Sequence, residues 1–169
     1  MNNMDDTKTL KDQLITDKDK VYDNLLNKTL PPISLHNQDG HLLRLNRKDT
    51  FRLVLYFYSM TGNPKKKLPE NWSNIPGASG CTLENSMFRD KYEKFIELNS
   101  LPIGITTQTV EEIKEMTTRL GIKFDVLSDF SKICIKQLKL PTFTVENKTF
   151  IKRLTLIVEN NIIIKIFYP

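Results

Sequence analysis

The sequence predicts an α/β protein in which one sheet carries helices on both faces. Three observations lead there. Apolar strand-like runs alternate with helical repeats through the middle of the chain, a tight-turn dipeptide stands at Asp39-Gly40, and a second stands at Asn160-Asn161 between two apolar runs. The expected order is hairpin, strand, helix, strand, helix, strand, helix, hairpin.

Each element has its own signal. Residues 8–27 place Leu10, Leu14, Val21, Leu25 and Leu26 at loosely helical intervals among many charges, which predicts an amphipathic helical extension over residues 1–29 ahead of a domain over 30–169. Ile33 to Leu45 alternates around Asp39-Gly40, a pair suited to the positive φ angles of a tight turn. Arg52 to Tyr58 is aromatic and β-branched and reads as a buried central strand. A polar, proline-bearing loop, Ser59 to Gly80, follows; connections of that length in compact domains are often functional.

After Cys81, Leu83, Met87, Phe88, Tyr92, Phe95 and Ile96 recur at three- and four-residue intervals, predicting one long helix with an apolar stripe. Leu101 to Thr106 is the next strand. Thr109 and Glu112 form a capping box for a helix whose core face is Val110, Ile113, Met116 and Leu120, ending at Gly121. Phe124 to Leu127 reads as a short strand and Ser131 to Leu140 as a short helix stopped by Pro141. Phe150 to Glu159 and Ile162 to Phe167 read as two strands joined at Asn160-Asn161.

Composition narrows the function classes. A chain of 169 residues, 39% hydrophobic and 27% charged, suits a single domain with a sizeable core. Its net charge of +5 is dispersed, without the concentrated basic face and interleaved aromatics that nucleic-acid binding requires, so no nucleic-acid partner is expected. No apolar run approaches bilayer length and no membrane partner is expected. Two cysteines are too few for a disulfide framework, which points to a reducing cytoplasm. His36 and His41 lie near the Asp39-Gly40 turn with no metal-ligand spacing around them and read as surface residues; no metal or organic cofactor is expected.

Two residues carry a chemical signal. Cys81 follows Pro76-Gly77-Ala78-Ser79-Gly80 at the point where a helix begins. A thiol that opens a helix faces unpaired backbone N–H groups and the positive end of the dipole, which favour the nucleophilic thiolate. The alternative is a small buried core residue. Arg153 falls in the penultimate strand on a face with Ile151, Thr155 and Ile157, where a guanidinium demands an anionic or strongly hydrogen-bonding partner. A thiolate is one such partner; snorkelling to water or pairing with a surface carboxylate is the other reading.

These residues resemble the peroxiredoxins, and among them the bacterioferritin-comigratory or peroxiredoxin Q type. The resemblance rests on Leu53-Val54-Leu55-Tyr56-Phe57-Tyr58, Gly80-Cys81-Thr82 with Glu84, Phe88-Arg89-Asp90, Leu127-Ser128-Asp129 and Arg153-Leu154-Thr155-Leu156-Ile157, and spans roughly Leu30 to Pro169. It implies a thioredoxin-like fold, a central mixed β-sheet flanked by helices with an N-terminal β-hairpin. It also implies a thiol-dependent peroxidase in which Cys81 attacks hydrogen peroxide or an organic hydroperoxide and becomes a sulfenic acid. Arg153 would hold the thiolate and polarise the peroxide, and Thr82 and Glu84 would support the pocket.

Three departures from the family pattern stand out, and one residue excludes a different redox class. That pattern has proline seven and threonine three residues before the cysteine; here those positions are Asn74 and Ala78, with Pro76 and Ser79 displaced by two and one. Ser79 would then give the threonine's hydrogen bond. The resolving cysteine that often lies five residues on is Ser86, and Cys134 is expected to be a buried structural residue, so a one-cysteine enzyme reduced by an external thiol (thioredoxin, glutaredoxin or a low-molecular-weight thiol) is expected. Glu84 stands where a Cys-x-x-Cys disulfide reductase would carry its second cysteine. Finally, family members continue past the last strand into a C-terminal helix, apparently missing here, so the amphipathic N-terminal helix or a second subunit, giving a homodimer, would cover that sheet face. The alternative to turnover is a redox-sensing or binding protein of the same fold.

Overall fold

A computed structural model describes residues 17–48 and 51–169, which leaves Leu10 and Leu14 of the expected N-terminal helix outside the described residues. Helix α1 occupies residues 17–25. Strands β1 (Ser34–Asn37), β2 (Leu42–Arg44) and β3 (Arg52–Phe57) precede helices α2 (Cys81–Asp90) and α3 (Tyr92–Glu97). There follow β4 (Ser100–Thr106), α4 (Val110–Leu120), β5 (Val126–Ser128) and α5 (Ile133–Leu138), then β6 (Thr142–Val145), β7 (Lys148–Ile151), β8 (Leu154–Glu159) and β9 (Ile162–Phe167).

Seven strands form a mixed sheet in the order β2-β1-β5-β4-β3-β8-β9, with β3, β4 and β5 mutually parallel and the outer pairs antiparallel. Strands β6 and β7 form a separate antiparallel ribbon. The architecture is the thioredoxin-like α/β arrangement, a mixed sheet between helical layers.

The period-two alternation of β3 divides the core into two layers. Leu53, Leu55 and Phe57 face one side with Leu154, Leu156 and Val158 of β8, where Val21 and Leu25 of α1 and Cys134 and Leu138 of α5 pack. Tyr56 and Tyr58 face the other side with Cys81 of α2 and Ile113 and Met116 of α4. Helix α1 therefore covers part of the first face, tied down by Tyr22 Oη donating to the Ile166 carbonyl at 3.0 Å. Gly104 of β4 pairs with Tyr56 because a side chain there would come within 2.7 Å of the tyrosine ring.

The turn and cap signals correspond to observed turns and caps. Gly40 has φ +80°, and the Asn37 carboxamide accepts from the amides of Asp39 and His41. Asn160 and Asn161 both adopt positive φ. Thr109 and Glu112 form the reciprocal capping box of α4, and Gly121 closes that helix in the left-handed region. The carboxylate of Asp129 caps α5 through the amides of Cys134 and Ile135.

Two expected elements are corrected. The expected long helix breaks at Lys91 into α2 and α3, and its inward positions are Cys81 and Asn85 with Phe88 partly covered, while Leu83 and Met87 point to solvent at 66% and 55% exposure. The expected strand from Phe150 to Glu159 is two strands. Ile151 and Leu154 both belong to the first core layer, and residues three apart cannot share a face of one regular strand. The chain therefore turns at Lys152-Arg153, with the Lys152 amide bonded to the Pro141 carbonyl. The loop from Ser59 to Gly80 is packed, with Trp72 in a 3-10 turn against Ala78 and Phe150.

Candidate functional site

Cys81 is the first residue of α2 and follows Gly80, whose φ of +97° lets the chain enter the helix sharply. That position puts Cys81 in the first turn, where the backbone amides have no partner within the helix. Cys81 is 1% exposed. Its Sγ lies 3.2 Å from Ser59 Oγ and 3.6 Å from the Ala78 carbonyl, to which Ser59 Oγ also donates at 3.0 Å. Sulfur, hydroxyl and carbonyl thus form a closed triangle.

The helix behind the sulfur is braced. Asn85 Nδ2 donates to the Cys81 carbonyl at 2.9 Å and its Oδ1 accepts from Tyr56 Oη at 2.9 Å. Tyr56 stacks on Phe88 of the same helix. A buried, satisfied polar network of this kind fixes the cysteine against the sheet.

Arg153 is half-buried at the turn before β8, and its guanidinium lies over the helix entrance: a methyl group on Gly80 would stand 3.1 Å from Arg153 Nη1. The same charge acts on Glu84. Burial pushes the Glu84 carboxyl up to about 7, against the pull of Arg153. Glu84 Oε2 and Tyr58 Oη are buried and have no hydrogen-bond partner among the described residues. The Tyr58 phenol is held protonated well above its ordinary range by burial, with charge on Cys81 or Glu84 adding to the effect. An unpaired carboxyl oxygen and an unpaired phenol hydroxyl are thus buried near one another, the phenol also being close enough to Cys81 to feel its charge. Glu84 and Arg153 also line a groove of about 980 Å³ with Pro76, Phe143, Phe167 and Tyr168.

Of the residues singled out from the sequence, Cys81, Arg153 and Glu84 come together here. Arg153 does so on the face opposite to Ile151, because the strand breaks between them. Thr82 is half-buried beside Cys81, and its carbonyl accepts from Ser86 Oγ at 2.9 Å. Ser79 is exposed, and the hydroxyl at the sulfur belongs to Ser59 instead; Pro76 is exposed on the groove. Sequence reasoning missed Ser59, Tyr58, Tyr56 and Asn85. Asn85 carried a legible signal, a polar residue one turn after Cys81 on the inward face. Ser59 carried none, since only the fold brings the end of β3 against the start of α2.

Cys134 lies in the other core layer, fully buried, with its thiol pushed well up by burial and by the Asp129 carboxylate. Among the described residues no group of three potential ligands is placed to hold a metal ion, and no helix is long and apolar enough to cross a membrane.

Comparison with known proteins gives a consistent result. The profile of the AhpC/TSA family matches residues 73–166. The chain is 28% identical over 114 residues to a chloroplastic peroxiredoxin Q of Sedum lineare, 68% of this chain and 53% of that protein. It is 29% identical over 99 residues to peroxiredoxin Bcp of Bacillus subtilis (strain 168), 59% of this chain and 54% of that one. The chain thus spans about half the length of these curated relatives. Among solved structures, peroxidoxin BcpB of Mycobacterium tuberculosis superposes with a TM-score of 0.67 at 22% identity, covering 85% of this chain and 84% of that one. A PrxQ mutant of Xylella fastidiosa gives 0.68 at 20% identity, covering 84% of each.

Proposed function

The chain belongs to the AhpC/TSA family, and from that premise we propose that it is a thiol-dependent peroxidase with Cys81 as the attacking nucleophile. The observation that carries this reading is the position of the Cys81 sulfur at the entrance of α2, with a hydroxyl 3.2 Å away and a guanidinium over the preceding glycine. The thiolate attacks the terminal oxygen of a hydroperoxide ROOH. An S–O bond forms, the O–O bond breaks with its electron pair going to the departing oxygen, and RO⁻ takes a proton to leave as alcohol or water.

Arg153 meets the negative charge that moves from sulfur to the departing oxygen, and the α2 amides assist from the other side. Tyr58 Oη supplies a donor and Glu84 Oε2 an acceptor for the hydroperoxide's own hydroxyl. The groove beside Glu84 and Arg153 admits the substrate, hydrogen peroxide or an organic hydroperoxide.

The enzyme is of the one-cysteine type. The placement of Cys81 and Cys134 in opposite layers of the core, with the sheet between them, supports this reading. Two equivalents of an external thiol R′SH then reduce the sulfenic acid, releasing water and the disulfide R′SSR′. Steady-state consumption of peroxide with an added thiol system tests this. Turnover that vanishes in Cys81→Ser supports the reading; a single stoichiometric oxidation without turnover, the signature of a redox sensor, overturns it.

A further inference from the structure

We propose that Ser59 is a catalytic residue of this site, the hydroxyl that holds the Cys81 thiolate by direct hydrogen bonding, an inference that rests on Cys81 being the reactive thiol. Position 78, where the family pattern puts a threonine hydroxyl, is an alanine, and the adjacent Ser79 is exposed. The loop therefore offers the sulfur only the Ala78 carbonyl, which repels a thiolate. Ser59 reaches the sulfur from the sheet side, at 3.2 Å, with both residues buried.

The placement is rigid. Ser59 lies two residues past the end of β3, its own carbonyl accepts from Thr106 Oγ1 at 3.0 Å, and the amide of the intervening Tyr58 donates to the Ile105 carbonyl of β4. Its single hydroxyl hydrogen has two acceptors. With Cys81 as a thiol, Ser59 donates to the Ala78 carbonyl and the S–H donates to Ser59 Oγ or to that same carbonyl. When the S–H proton leaves, the hydroxyl rotates and donates to sulfur. Nothing is oxidised in this step; one proton departs and one hydrogen bond changes acceptor. The charged or titratable groups around the entrance of α2 are Tyr58 just past β3, which interacts with Cys81, Glu84 on α2, and Arg153 ahead of β8 over Gly80. Of these groups and Ser59, the Ser59 hydroxyl alone hydrogen-bonds to the sulfur among the described residues.

A hydrogen bond to a charged acceptor changes an ionisation equilibrium by roughly tenfold or more, whereas thiolate nucleophilicity rises only as about the square root of basicity. Removing the hydroxyl therefore has opposite effects in two pH regimes. In Ser59→Ala, alkylation of Cys81 by iodoacetamide should slow about threefold at neutral pH, where fewer thiolates exist, and quicken about threefold at alkaline pH, where all are ionised and each is more basic.

Ser59→Gly should behave like Ser59→Ala, and Ser59→Thr should restore the wild-type profile. The thiolate's ultraviolet absorbance, read against Cys81→Ser, follows the same midpoint independently of reagent access. A change of the same sign and size at every pH, or no change, makes Ser59 a packing residue and overturns the proposal. If the crossover appears but hydrogen peroxide leaves Cys81 unoxidised, Ser59 keeps its role and the peroxidase reading fails.

Discussion

Glu84 and Arg153 face each other across the entrance to α2, and they make different demands on the fold. The Glu84 carboxyl is raised from an ordinary 4.5 to about 7, so between those values the folded chain holds a proton that the unfolded chain releases. That contribution to stability is present at low pH and is lost as pH rises through about 7. Glu84→Gln does not titrate, so urea melts should show it gaining ~2 kcal/mol on wild type between about pH 4 and pH 8, a value discounted for the carboxyl's remaining exposure. An offset equal at both pH values would contradict the burial argument. Arg153→Ala should slow oxidation of Cys81 about a hundredfold with the fold intact, as loss of one donor to a developing oxyanion does. An unchanged oxidation rate removes Arg153 from the mechanism. Cys81 and Arg153 were legible as residues because a thiol opening a helix and a guanidinium in an apolar strand are both chemically conspicuous, whereas Glu84 was named through the family resemblance alone. Ser59 was neither, because a serine ending a strand looks the same whether it faces solvent or sulfur.

The entrance to α2 depends on Gly80. Its φ of +97° is strained for any side chain, and an added methyl would press on Arg153 Nη1. Gly80→Ala should cost about 1–2 kcal/mol in denaturant melts and slow peroxide oxidation as the guanidinium is displaced. Oxidation at the wild-type rate would show that the guanidinium's position is immaterial. Elements whose signals are local were readable from the chain: the capping box at Thr109 and Glu112, and the paired asparagines at 160 and 161. The break at Lys152-Arg153 was not, because the apolar residues on either side of that charged pair also read as one alternating strand, which conceals a change of face. The outward turn of Leu83 and Met87 was hidden for a related reason, since Cys81, Asn85 and Phe88 supply an equally valid helical stripe.

At the scale of the molecule, the sheet sorts the chemistry. It puts Cys81, Tyr56, Tyr58 and α4 in one layer and Cys134, α1 and α5 in the other. The alternation that predicted helices on both faces made this division legible, but not which residues of separate loops meet across it. The proposed peroxide chemistry then falls to one sulfur, with the second thiol buried in the other layer. The most direct test is mass spectrometry after brief treatment with hydrogen peroxide in the presence of a sulfenic-acid trap. A single adduct on Cys81, undiminished in Cys134→Ser and absent in Cys81→Ser, is the predicted result. A disulfide between Cys81 and Cys134, or a Cys81 that emerges unmodified, would contradict it.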